Sequence, residues 1–183
     1  MHSDLGKLER ELHAALLDLN EAQTQANPAS RPDAWNVQQI VEHLLMTYQS
    51  NTQQIAARIE KGRPVKTPAT LRQRIGQFVL ITLGRFPKGF EAPAQVAPSI
   101  VTSPRSGKAI SERVTAVLSK LDEVCVEAER RFGAQRSVTH LRLGPLSIQQ
   151  WRRFHLVHGL HHVRQIEAIR REHGFHPNGL EAA

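Results

Sequence analysis

The stretch Trp151–Ile166, WRRFHLVHGLHHVRQI, places His155, His158, His161 and His162 within eight residues. Just upstream, Ser147 with Gln150 three residues on has the pattern of a capping box. The segment therefore reads as the first part of a long helix that runs to about His173 and stops at Gly174. On that helix His158 and His162 stand one above the other, about 40° apart around the axis, while His155/His158 and His158/His161 are about 60° apart. His161 points sideways relative to His155, so four imidazoles cannot converge. An H-x-x-x-H pair can grip one metal ion. The spacing favours His158 with His162 and leaves His155 open as an alternative, and the same pattern also suits a solvated, histidine-rich helix.

Working outward, Ser137–Leu146 reads as a short connection. Before it, a helix is expected from about Ser111 to Phe132, with Val114, Val117, Leu118, Leu121, Val124, Cys125 and Ala128 as its buried stripe and Gly133 as its stop. Cys125, the single cysteine, excludes an internal disulfide and a cysteine-built zinc site, and its place in the stripe marks it as a small buried apolar residue. A long basic crossover, about residues 63–110, holds six of the ten prolines. Within it Leu71–Leu83 reads as a short helix with Leu71, Ile75, Phe78 and Val79 on one side. The second long helix starts at Asn36, where Asn36 and Gln39 form a capping-box pattern and Trp35 is placed to staple onto Ile40. Its stripe is Val37, Ile40, Val41, Leu44, Leu45, Tyr48 and Ile55, and it should end near Gly62. The first helix is expected from Ser3, as N-cap, to about Ala22, with leucines at 5, 8, 12, 16 and 19.

These elements predict an all-α four-helix bundle, one domain over residues 1–183, whose second and third helices are joined by a crossover carrying an extra short helix. Aromatics make up only 5% of the chain, so the core should be aliphatic. The polar N-terminal segment lacks the apolar run of a signal peptide, and Phe78–Leu83 is too short to span a bilayer. The expectation is a soluble cytoplasmic protein. The net charge of +7 equals the excess of eight basic residues over one acid, Glu91, between Arg63 and Lys108. That places the charge on the crossover, as a solvated loop or an anion-steering rim, with no interleaving of aromatics for base stacking. Nucleic acid is not the expected partner.

Metal sites in bundles are built from side chains on facing helices. His43, beside the apolar stripe of the second helix, is a candidate third nitrogen for the histidine pair, and three ligands with an open position is the pattern of catalytic sites. Gln165 lies seven residues after His158 on the same face and is placed to orient a ligand histidine or a bound water.

Trp35–Leu45, WNVQQIVEHLL, and His158–Ile166, HGLHHVRQI, resemble the paired motifs of the DinB-like superfamily. Leu143–His155 and Leu83–Pro93 resemble a bacterial branch related to the low-molecular-weight-thiol transferases. The resemblance implies a metal-binding four-helix bundle with ligands His43, His158 and His162, leaving His155 and His161 as neighbours. It implies a divalent ion (zinc, nickel or manganese) and homodimers as a frequent state. It points to a metal-dependent enzyme, a thiol S-transferase or a hydrolase-like one, acting on a small-molecule substrate with a thiol cosubstrate. Arg85 and Lys88 are then candidates to hold the cosubstrate's carboxylate. The competing expectation is a non-catalytic metal-binding, interaction or stress-response bundle using the same ligands.

Overall fold

The computed structural model describes residues 1–86, 96–98 and 103–176, and the chain is mainly helical. Among the described residues four long helices dominate: α1 (Ser3–Leu16), α3 (Val37–Glu60), α5 (Gly107–Phe132) and α6 (Ile148–His173). Short helices α2 (Glu21–Thr24) and α4 (Leu71–Gln77) lie between them, and a hairpin of β1 (Arg136–His140) and β2 (Gly144–Ser147) precedes α6. The helix α1 packs on α5 and α6, and α3 packs on the same two from the other side. The core between them is aliphatic, as its periodicities require: Leu5, Leu8, Leu12 and Leu16 of α1 meet Val41 and Leu44 of α3, Leu118 and Leu121 of α5, and Ile166 of α6 in one buried cluster.

The expected caps form at the starts of α3 and α6. Asn36 and Gln39 exchange side-chain-to-backbone hydrogen bonds of 2.8 and 3.0 Å, and Ser147 and Gln150 do the same at 3.3 and 2.9 Å. Gly133 and Gly174, at φ 56° and 66°, end α5 and α6 where no side chain is at ease.

Four expectations are corrected. First, α1 stops at Leu16 rather than Ala22. Asp18 takes a left-handed φ of 58°, and Asn20 opens a separate helix with its own capping box. The N-cap of α1 is His2, whose Nδ1 accepts the amide of Asp4, and not Ser3. Second, α5 begins at Gly107, capped by Ser106, four residues before the expected start. Third, Ser137–Leu146 is mostly an antiparallel hairpin, with Val138 opposite Leu146 and His140 opposite Gly144. Fourth, the apolar side expected for the crossover helix faces outward. Leu71, Ile75 and Phe78 are 75%, 57% and 55% exposed, while Gln77, Leu80 and Ile81 turn inward. The helix widens into a π-helical turn over Phe78–Thr82, which rotates Leu80 and Ile81 relative to the α-helical spacing. The side-chain amide of Gln77 fixes that orientation by donating to the Leu143 carbonyl at 2.7 Å.

Candidate metal centre

His43 sits two turns into α3, and His158 and His162 sit on successive turns of α6, so the packing of α3 on α6 brings the three together. All three are buried. Nε2 of His158 lies 3.3 Å from Nε2 of His43 and 3.1 Å from Nε2 of His162. Candidate ligand atoms of the three lie within 4.8 Å of one another. Tetrahedral zinc with nitrogens at about 2.0–2.1 Å requires ligand nitrogens about 3.3–3.4 Å apart, so the spacing fits an ion.

Hydrogen bonds on the far sides of the rings set their tautomers. Nδ1 of His43 is 2.7 Å from the Val96 carbonyl oxygen, which can only accept, so the proton is on Nδ1. Nδ1 of His162 donates to Gln165 Oε1 at 2.7 Å, and the amide nitrogen of Gln165 in turn donates to His161 Nε2 at 3.3 Å. Both neutral rings therefore aim a bare Nε2 lone pair at His158. A proton on His158 Nε2 could serve only one of these neighbours, and Nδ1 of His158 is buried without a partner. A cation among the three Nε2 atoms satisfies them together.

Electrostatics keep the rings in the ligating form. Burial, and then the neighbouring His162 and His43, hold the His158 pKa well below its usual value. Burial and His43 push His162 down to about 3, and burial lowers His43 against the opposing bond to Val96. Neutral imidazole is the state that binds a metal.

The remaining candidates separate clearly. Gln165 braces His162, as its position after His158 suggested. His161 stacks on Phe86 at 4.7 Å between ring centroids. His155 is fully buried, but its Nε2 is 2.9 Å from Asn51 Oδ1 and it belongs to a different contact. Arg85 is exposed and does not line the cavity beside the histidines. Lys88 lies outside the described residues. Trp35, expected on Ile40, has its ring 5.1 Å from that of His43.

The three histidines open into a cavity of about 640 Å³. Its walls include Trp35, Leu80, Phe86, Trp151 and Phe154, with Asn51 and Gln54 of α3 and the hairpin residues His140 and Arg142. Sequence reasoning missed Asn51, His140 and Arg142. A β-branched pair, Val138-Thr139, ahead of Gly144 was the one signal for the hairpin that carries two of them.

A mainly helical chain with three buried histidines that could hold a metal ion beside a cavity is the class that fold and site define. The sequence model of the DinB superfamily matches residues 5–166, and the chain belongs to that superfamily. No curated protein and no solved structure matches it. Among the described residues no helix is long and apolar enough to cross a membrane.

Proposed function

We propose that this protein is a metal-dependent enzyme that binds a divalent ion through Nε2 of His43, His158 and His162 and acts on a small molecule in the adjoining cavity. The observation that carries the reading is the convergence of three nitrogens, two with lone pairs fixed by partners on the opposite ring edge, at the wall of a cavity large enough for a substrate. We read the four long helices as a four-helix bundle forming one domain, a scaffold that holds facing helices at fixed separation. A bound ion would act there as a Lewis acid, lowering the pKa of a coordinated thiol or water.

The chain's own residues prepare that chemistry. Val96 and Gln165 hold two ligand rings in orientation, and Phe86 stacks 5.3 Å from His158. The cavity supplies no carboxylate base among its described lining residues, so a reaction whose nucleophile is activated by the ion suits it best. Transfer of a low-molecular-weight thiol to a small acceptor is such a reaction. Elemental analysis of the purified protein tests the assignment. Near-stoichiometric zinc, nickel or manganese is expected in the parent and its loss in the His158→Ala/His162→Ala double variant; equal metal content in the two would sink it.

A further inference from the structure

The outward face of α4 is fixed by what its other face holds. The Gln77 amide donates to the Leu143 and Pro145 carbonyls at 2.7 and 3.4 Å, Gly76 lies against the Leu143 side chain, and Gln73 lies against Gly144. The helix is thus clamped to the hairpin turn. Leu71, Ile75 and Phe78, at four- and three-residue spacing, share the far side within about 60° around the axis. All three are exposed, as are Leu83, just after the π-helical turn, and Leu141 of the hairpin turn. Five of the eight exposed large apolar residues among the described ones therefore belong to this clamped unit, a concentration and not the single scatter of an ordinary surface.

The charge around the stripe has one sign. From Lys61 to Phe86 the chain carries six basic residues (Lys61, Arg63, Lys66, Arg72, Arg74 and Arg85) and no Asp or Glu. Arg72 and Arg74 are exposed and flank the stripe, about 60° and 40° outside its edges around the axis. A second copy related by a two-fold axis would set this acid-free rim against itself. A nucleic acid would engage the arginines and leave Leu71, Ile75 and Phe78 in water. An anionic lipid surface meets both features: its headgroups attract the basic rim, and its acyl boundary takes up protruding apolar side chains.

We infer that α4 and the turn after it dock on an anionic lipid bilayer, with Leu71, Ile75 and Phe78 entering the acyl boundary and Arg72 and Arg74 reaching the headgroups. The stripe is far too short to cross a bilayer and lies along it. Leu141 also lines the cavity of the three histidines, so the docked protein holds the edge of that cavity at the lipid surface. The inference goes beyond the proposed function and does not rest on it.

Co-sedimentation of the as-purified protein with lipid vesicles tests it. One set contains phosphatidylcholine and phosphatidylglycerol in equal parts, the other phosphatidylcholine alone. The parent should partition at least about tenfold more strongly onto the anionic set, and less so as salt is raised. Each basic residue at an anionic surface is worth about fivefold in partitioning, so Arg72→Glu/Arg74→Glu should lose at least about tenfold. The triple variant Leu71→Ser/Ile75→Ser/Phe78→Ser should lose as much while melting near the parent, because the three side chains are exposed. Phe78→Trp keeps the stripe apolar and reports its depth even if the triple variant fails to fold. Its emission should shift to the blue with anionic vesicles, a shift absent from the parent. Equal partitioning of the parent onto the two vesicle sets, or none onto either, would overturn the inference. So would full binding by the triple variant or an unshifted Phe78→Trp, the results if charge alone adsorbs the protein. A parent that sediments as a dimer while the triple variant sediments as a monomer would assign the stripe to a second copy and overturn it as well.

Discussion

Burial, with a smaller contribution from His140, pushes the pKa of His155 down to about 3. The unfolded chain protonates this ring below about 6.5 while the folded chain does not, so the unfolded state binds more protons across that window and stability falls as the pH drops through it. The slope is about 1.4 kcal/mol per pH unit for each such histidine. His140, pushed down to about 4 mainly by burial, acts in the same direction. Urea unfolding at successive pH values between neutrality and pH 5 should show a steady loss, and His155→Gln should flatten the slope. A parent protein equally stable across the range would contradict the buried neutral state. The histidine that the spacing leaves open as an alternative ligand, His155, is thus a structural one, because α6 turns it toward Asn51 and not toward His43.

Between elements, α5 and α6 are joined by charge as well as through the core. Arg152 of α6 is 1% exposed and bonds Glu129 of α5 at 2.6 Å, with Asp122 3.6 Å away. Removing one partner of a buried pair strands the other, so Arg152→Ala should cost about 3 kcal/mol, read as a shift of the denaturation midpoint. At the other end of α5, Gly107 donates its amide to the Leu19 carbonyl at 2.8 Å, and a Cβ there would collide with the Leu16 carbonyl oxygen. That oxygen is backbone and cannot rotate aside, so Gly107→Ala should destabilise by about 1–3 kcal/mol in the same assay. An unchanged midpoint would mean that α1 and α5 can separate slightly at no cost. Neither contact has a local signature: Arg152 reads as one of two surface arginines before Phe154, and Gly107 as a loop glycine.

For the molecule as a whole, an ion bound only by the folded chain stabilises it by mass action, about 4 kcal/mol at a thousandfold excess over Kd. Chelation should therefore lower the melting temperature of the parent by several degrees and leave His43→Ala unmoved; a parent indifferent to chelation would argue against a filled site. Periodicity and capping chemistry are local, so the sequence alone determined the long helices, the boxes at Asn36 and Ser147, the glycine stops and the candidacy of His43, His158 and His162. Its resemblance to the DinB-like superfamily is upheld by the match over residues 5–166, which does not reach the thiol-transferase branch. What it could not determine depends on which faces meet. The inward turn of Gln77, Leu80 and Ile81 needs the π-helical turn, the hairpin needs Val138 to find Leu146 across its turn, and the pairing of Asn51 with His155 joins residues 104 apart in the chain. Helix spacing states which residues share a side. Only packing decides what that side touches, and here packing joined two histidines of α6 to His43 of α3 as a cluster of three beside a cavity.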